Sequence, residues 1–459
     1  MRMIGLEIHG YLSTNEKLFC KCKLDLNSKD KNPNSNICPI CTAQPGCKPM
    51  PPNKEAIKKA LQIALMLNTK VNTIEANKKM IWQRKHYNWP DLPKGYQNTL
   101  SGTYAVPVGE NGKFLGIRIR ELHLEEDPAA WDPETGCIDY NRSGAPLIEI
   151  VTEPDFTSSE EVANWLKQLI LTLSYIKAIN RESGIKADVN VNIHGISERT
   201  EIKNVHSITE IVRAIEYEFK RHEKEKPKTK ETRRWNSETG KTESMREKEG
   251  AADYRFISDP DLPAMKISEK LVNQIKSSLP ESPQEKLEKM IKKYKIDQEN
   301  AKVLTNNIEL VEFFEKVTEK ITPDFALSWI TIELLRILNY NKTTLDNPEI
   351  NIKPEHFIEL LQYVKDKKIT ELKAKQILNK FIPNSFSPKS ELESSTRITN
   401  KEEIKSFCER VIKLNPKVVQ DFKAGKSEAL NFLLGEIMKL SNKRADYAIA
   451  KEELIKMLK

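Results

Sequence analysis

On an extended strand, residues two apart project from the same face, and five stretches of this chain exploit that spacing in the same way. In IGLEIH (4–9), Glu7 and His9 share one face and Ile4, Leu6 and Ile8 the other. In ADVNVNI (187–193), Asp188, Asn190 and Asn192 oppose Val189, Val191 and Ile193. RTEIKN aligns Arg199, Glu201 and Lys203, and LIEIVTE aligns Glu149 and Glu153. ELHLEED aligns Glu121, His123 and Glu125, with Glu126 and Asp127 adjacent. Strands of this kind in one antiparallel sheet give an apolar face that packs on helices and a second face of carboxylates, histidine and a few cations. If concave, that second face suits Mg2+, which prefers hard oxygen ligands, and the nucleotide phosphates it bridges. Lys203 and Arg199 would then neutralise charge developing in phosphoryl transfer. The same alternation also describes a sheet with one solvated face, and periodicity alone favours that reading. The sequence has no P-loop, so any nucleotide chemistry uses another fold.

The rest of the chain divides by pattern. KEAIKKALQIALML (54–67) has the period of a helix, and GIRIREL and APLIEIVTE read as strands. Thr157 followed by Glu160, and Ser207 followed by Glu210, fit capping boxes that open two more helices. Residues 222–250 are dense in charge and read as an exposed hairpin or loop pair, either solvated or in contact with RNA. Beyond about residue 265 strand signals fade and Lys-rich amphipathic helices follow (PQEKLEKMIKKY, NIELVEFFEKV, FALSWITIELLRIL, EHFIELLQYV). PNSFSPKSELESS reads as a linker, and three or four short helices close the chain. With 459 residues, 38% of them hydrophobic and 31% charged, the chain has the composition of a globular protein of several domains. No apolar run approaches the length of a bilayer span, and MRMIGLEIHGYL has no secretory apolar core, so the cytoplasm is expected. A net charge of +8 fits a nucleic-acid partner.

Of the seven cysteines, Cys20, Cys22, Cys38, Cys41 and Cys47 crowd together while Cys137 and Cys408 stand alone. An odd number in a chain without a secretory signal argues against a disulfide framework. Cys20-x-Cys22 and Cys38-x-x-Cys41 make two pairs fifteen residues apart, a spacing that suits tetrahedral zinc. The polar, turn-rich segment between them needs such a staple to hold a shape. Cys47 is close enough to substitute as a ligand, and free thiols are the alternative.

Taken together, IGLEIH, KLFCKC (17–22), NPNSNICPICTAQPG, RKHYNWPDLPKGYQ (84–97), IRIRELHLEED (117–127), IDYNRSGAPLIEIVTEPD (138–155), ADVNV, RTEIKNVHS, ETRRW, MREKE and DYRFISDPDLP resemble, in order and spacing, the GatB family, the B subunits of the glutamyl/aspartyl-tRNA amidotransferases. SWITIELLRILN and LNFLLGEIMKLSNKRAD extend the resemblance over nearly the whole chain, in an archaeal-like form. There is no room for the large insertion of the related archaeal protein that acts only on Glu-tRNA(Gln).

The resemblance implies an α+β architecture. A glutamine-synthetase-like cradle domain with an antiparallel sheet would span 1–278, with the cysteine insertion at about 17–47. An all-α domain would follow at 279–396, then a small helical tail that binds tRNA at 397–459. It implies ATP-dependent phosphorylation of the side-chain carboxylate of Glu or Asp esterified to tRNA, then amination by ammonia. That ammonia would come from a partner amidase (glutaminase) subunit, and a small third subunit would wrap the pair. By position, Glu7, His9, Glu125, Asp188 and Glu201 would ligand Mg2+ around ATP, with Glu126 and Glu153 as further candidates. Lys85, Tyr87 and Tyr96, with Arg199 and Lys203, would line the site. Cys20, Cys22, Cys38 and Cys41 would hold structural zinc near the acceptor end of the misacylated tRNA, and Lys423, Lys426, Lys439, Lys443 and Arg444 would meet phosphates in the tail. Two competing expectations are a zinc-stabilised tRNA-binding protein without catalysis and an amidoligase acting on a small free acid.

Overall fold

Alternating aliphatic residues build a sheet around the strand nearest the amino terminus. The structure is a computed structural model that describes residues 1–459 apart from 25, 27–31, 88, 103, 181–184, 246–253, 392–397, 427 and 459, and apart from the Asn204 side chain. The strands are β1 (Arg2–Tyr11), β2 (Lys70–Val71), β3 (Gln83–His86), β4 (Tyr96–Thr99), β5 (Gly109–Phe114), β6 (Ile117–Glu126), β7 (Ala130–Trp131), β8 (Ile138–Asp139), β9 (Pro146–Thr152), β10 (Ile185–Ile193), β11 (Thr200–Val205), β12 (Glu231–Asn236), β13 (Lys241–Ser244) and β14 (Ile257–Ser258). The main sheet runs β13-β12-β11-β10-β1-β9-β6-β4-β3-β14, with β5 paired to β6 and β2 paired to β5, while β7 and β8 form a separate ribbon. Its pairings are antiparallel except β11–β12. The parallel pair is joined through a helix, as a same-direction return requires.

Register fixes the faces. Ile4, Leu6 and Ile8 of β1, Leu122 and Leu124 of β6, Ile148 and Ile150 of β9 and Val189 and Val191 of β10 are buried in one core. That core is completed by α1 (Lys54–Met66), α2 (Ser159–Tyr175) and α3 (Ile208–Glu225), which supply Ala60, Leu61, Leu166, Leu169, Ile215 and Phe219. The opposite face of the same strands carries the polar residues.

Helix starts follow local hydrogen bonding. Ser207 caps α3 by accepting from the Glu210 amide, as expected. For α2 the expected cap shifts by one residue. Ser158, not Thr157, accepts from the Glu161 amide, and the Thr157 amide instead donates to the Glu161 carboxylate at 2.9 Å. The box is therefore Ser158 with Glu161, because Ser158 is the residue with extended backbone at the helix mouth. The charged 222–250 segment contributes the end of α3 and the β12–β13 hairpin, and its residues 246–250 lie outside the described residues.

By density of contacts the chain falls into two units, 1–282 and 283–459. The first unit ends with α4 (Glu269–Ser277), which lies beside α1. Among the described residues the second has helices and no named strand, and it holds two separate apolar clusters, one drawn from 290–381 and one from 398–458. FALSWITIELLRIL is not one regular helix: Trp329–Leu334 is a π-helical turn between α-helical Pro323–Ser328 and Leu335–Tyr340. The wider turn changes the phase of the stripe, burying Trp329, Ile330, Glu333 and Leu334 and leaving Ile332 60% exposed. Of the expected linker, Pro388–Glu391 is a 3-10 turn, and 392–395 lie outside the described residues. Among the described residues four helices follow, Lys401–Leu414, Pro416–Lys423, Glu428–Leu440 and Tyr447–Leu458. Among the described residues no helix is long and apolar enough to cross a membrane.

Candidate functional site

The polar face of the sheet closes into a cavity of about 220 Å³ whose wall includes Glu7, His9, Glu125, Glu149, Asp188 and Lys203. Strand register puts them together. His9 of β1 sits opposite Glu149 of β9 on one side and Lys186 of β10 on the other. Glu149 in turn sits opposite His123 of β6, and Glu7 sits opposite Asp188. Carboxylates thus stand on adjacent strands, where strand spacing alone brings side chains within about 5 Å.

Their electrostatics follow from crowding. His9 Nδ1 lies 3.4 Å from Glu125 Oε1, and His9 Nε2 lies 3.9 Å from Glu7 Oε1. Burial would lower the His9 pKa, but the hydrogen bond to Glu125 and the charges of Glu125, Glu149 and Glu7 raise it to about 9. Burial together with the neighbouring charges of Glu125 and Glu7 raises Glu149 to about 8, so its carboxyl is protonated at neutral pH. For Glu7, burial is outweighed by the hydrogen bond from Glu149 and the charges of His9, Lys203 and Lys85, and its pKa falls to about 2. Lys203 Nζ bridges Asp188 at 2.6 Å and Glu201 at 3.1 Å. Despite burial, those two carboxylates hold the ammonium charged. Tyr87 donates to Gln97 Oε1 at 2.7 Å, and Lys85 Nζ lies 4.8 Å from the Tyr254 ring centre.

One oxygen from each of Glu7 and Glu149 and one His9 nitrogen all lie within 4.8 Å of one another. This donor set fits a divalent cation. Buried like-charged carboxylates with a proton trapped between them are the arrangement a cation relieves, and their oxygens are hard.

The residues expected at the site do not all meet here. Lys85, Tyr87, Glu125, Asp188 and Lys203 join Glu7 and His9, and Glu201 touches the cavity through Lys203. Glu126 and Tyr96 line a second cavity of about 260 Å³ beside the cysteines, where Glu126 pairs with Lys94 and accepts from the Asn98 amide at 2.9 Å. Glu153 follows the end of β9 and pairs with Arg120 at 2.9 Å, away from the cavity. Arg199 precedes β11 and does not line the cavity. Six residues that line it are outside the expected set: Tyr11, Gln97, Asp127, Leu147, Glu149 and Lys186. Glu149 carries a signal in the sequence, since it shares parity with Glu153 and is the one of the two inside the strand. Asp127 accepts from the Tyr11 hydroxyl at 2.7 Å and pairs with Arg142 at 2.7 Å, contacts set by tertiary structure alone.

The sulfurs of Cys20, Cys22, Cys38 and Cys41 lie within 4.8 Å of one another. Tetrahedral zinc with bonds near 2.3 Å spaces its sulfurs about 3.8 Å apart, and Cys41 and Cys22 are 4.0 Å apart. The Cys41 thiol is drawn down to about 4 by the hydrogen bond from Cys20, against burial, and by the Cys38 amide and Lys17. Lys17, 1% exposed, places Nζ 3.4 Å from Cys41 Sγ and donates to the Tyr140 carbonyl at 3.0 Å. The four thiols fit zinc in number and spacing. Cys47 is exposed and stands outside the cluster.

Residues 2–273 match the family model described as the GatB/GatE catalytic domain, and residues 312–458 match the one described as the GatB domain. The chain is 42% identical to the B subunit of the aspartyl/glutamyl-tRNA(Asn/Gln) amidotransferase of Methanococcus maripaludis, over 99% of this chain and 98% of the relative. It is 43% identical to the protein of the same name from Methanothermobacter thermautotrophicus, over 96% of this chain and 97% of the relative. To that of Methanocaldococcus jannaschii it is 42% identical, over 96% and 94% respectively. With both family models matched in order and identity at this level from end to end, the chain belongs to the GatB family of amidotransferase B subunits.

Proposed function

We propose that this chain is the ATP-using, tRNA-binding component of a tRNA-dependent amidotransferase, converting misacylated Glu-tRNA(Gln), Asp-tRNA(Asn) or both to Gln-tRNA(Gln) and Asn-tRNA(Asn). The observation that carries the reading is the convergence of Glu7, Glu125, Glu149 and His9, with Lys203 beside them, on one cavity of the sheet's polar face. A carboxylate is a poor electrophile. Its oxygen attacks the γ-phosphorus of ATP, ADP leaves, and the resulting acyl phosphate yields to ammonia with loss of a proton and release of phosphate.

The chain's own residues meet each demand of that sequence. Glu7, Glu125 and Glu149, with His9, Asp188 and Glu201 around them, would hold Mg2+ against the nucleotide. Bound there, Mg2+ supplies Lewis-acid polarisation of phosphate oxygens. Lys203, Lys186 and Lys85 offer positive charge to the transferring phosphoryl group. Walls built from strands keep these groups fixed, so little reorganisation is needed when charge develops. Cys20, Cys22, Cys38 and Cys41 would hold zinc as a structural knuckle. Ammonia would come from a partner amidase, with a small third protein completing a cytoplasmic assembly. We divide the chain functionally into a catalytic domain (1–278), a helical domain (279–396) and a tail (397–459), in which Lys423, Lys426, Lys439, Lys443 and Arg444 would face tRNA phosphates.

A transamidation assay with misacylated tRNA, ATP, Mg2+ and ammonium chloride, with the partner subunits present, tests the reading. Wild type should form Gln-tRNA or Asn-tRNA while consuming ATP. Glu125→Gln should lose at least about a hundredfold in rate. A wild-type chain that binds tRNA and turns nothing over would make it a non-catalytic tRNA-binding protein.

A further inference from the structure

Lys17 is less exposed than any other lysine or arginine among the described residues. Among those residues no carboxylate pairs with it, and its hydrogen bonds go to Cys41 Sγ and the Tyr140 carbonyl. A buried ammonium held only by neutral acceptors is costly. Neighbouring lysines are matched otherwise: Lys94, in the same cavity wall, by Glu126, and Lys21 and Lys48, next to cysteines in sequence, by Glu16 and Asp261. The backbone fixes where the Lys17 stem points. The Lys17 amide donates to the Cys22 carbonyl at 3.1 Å, and the Leu18 amide to the Gly144 carbonyl at 2.8 Å. On the far side, Ser143 Oγ donates to the Cys41 carbonyl at 2.9 Å. Lys17 is thus clamped between the cysteine segment and the 140–144 turn, with its charge delivered to a sulfur.

We propose that Lys17 is the counter-cation of the cysteine site: its ammonium donates to Cys41 Sγ, tightens metal binding by the four sulfurs and makes them less reactive. This rests on the zinc reading given above and adds a residue to it. Four thiolates around one Zn2+ carry a net charge of about −2. The buried cation and the over-charged cluster each lack a partner, and each supplies what the other lacks. In a buried setting of low dielectric that attraction is screened little. Groups that hydrogen-bond to metal ligands hold them in place and shift metal affinity. A hydrogen bond to sulfur also ties up electron density that an electrophile would otherwise attack, so zinc is displaced more slowly.

The test uses purified full-length chain stripped of metal, with zinc itself as the probe and chelator competition as the readout. Lys17→Met keeps an unbranched stem of similar size without the charge, and Lys17→Arg keeps the charge. Lys17→Met should bind zinc about ten- to a hundredfold more weakly than wild type, with Lys17→Arg between the two. An alkylating reagent should release zinc from Lys17→Met about tenfold faster than from wild type. A role in packing alone gives the reverse order, with Lys17→Met near wild type and Lys17→Arg weakest. Lys17→Met equal to wild type, or Lys17→Arg binding no tighter than Lys17→Met, would overturn the proposal. If the variants do not fold, wild type supplies the answer. Zinc loading should protect Lys17 from an amine-acylating reagent about tenfold, read by mass spectrometry, and equal labelling with and without zinc overturns the assignment. A wild-type chain that takes up no zinc fails the zinc reading and this proposal with it. Tight binding by wild type and Lys17→Met alike fails the Lys17 assignment alone.

Discussion

Glu149 and Glu153 share parity along one stretch of sequence, yet four positions separate a buried carboxyl raised to about 8 from a half-buried one paired with Arg120. The strand ends at Thr152, and beyond it parity no longer specifies a face. Glu149→Gln should therefore cut ammonia-dependent turnover by about a hundredfold, whereas Glu153→Gln should stay within about threefold; steady-state rates on misacylated tRNA decide it. A second buried carboxylate lies apart from that cavity. Glu218 is fully buried on α3, bonded to Arg221 at 2.8 Å and beside His222 at 3.4 Å. Burial opposes its charge, but His222, Arg221 and Thr242 hold its pKa at about 2. Because the folded value lies below the unfolded value near 4.3, the stability Glu218 contributes is complete above that pH and fades as pH falls toward 2. The shift corresponds to about 3 kcal/mol. Urea midpoints should thus drop more steeply between pH 5 and pH 3 in wild type than in Glu218→Gln.

At the scale of elements, alternation is the readable signal. The strands bearing Glu7, His9, Glu125, Asp188 and Lys203 can be read directly, and their polar residues do share one face. Alternation leaves open whether that face is solvated or enclosed, because enclosure depends on register between strands far apart in sequence. The division of Glu125 and Glu126 between two cavities follows from parity, but the second cavity exists only because the cysteine segment packs there. The α2 cap is legible only to within one residue, because Thr157 and Ser158 are both good caps and backbone conformation alone chooses between them. Ser158→Ala should lower stability by about 1 kcal/mol, and Thr157→Ala by a few tenths, in chemical denaturation. The cysteine element makes its own prediction. Zinc content by elemental analysis should approach one per chain, and Cys38→Ser should lower it and expose the 17–47 segment to protease.

For the whole molecule, two units with separate apolar clusters imply separable melting. Calorimetry should resolve more than one transition, and Leu169→Ala, in the core of the first unit, should lower only one of them, by about 2–5 kcal/mol. The placement of β1 has a further consequence for how the protein comes into being. This strand is made before both its neighbours in the sheet, β9 and β10, which begin at residues 146 and 185. At about 5–20 residues per second, the ribosome takes roughly ten seconds or more to deliver them. Throughout that interval both edges of β1 are bare, and Ile4, Leu6 and Ile8 have no sheet to join. Assembly therefore cannot proceed in the order of synthesis: the nascent chain must keep β1 unpaired until its future flanks emerge. The half-made protein, more than the finished one, is where aggregation threatens and where a chaperone would act.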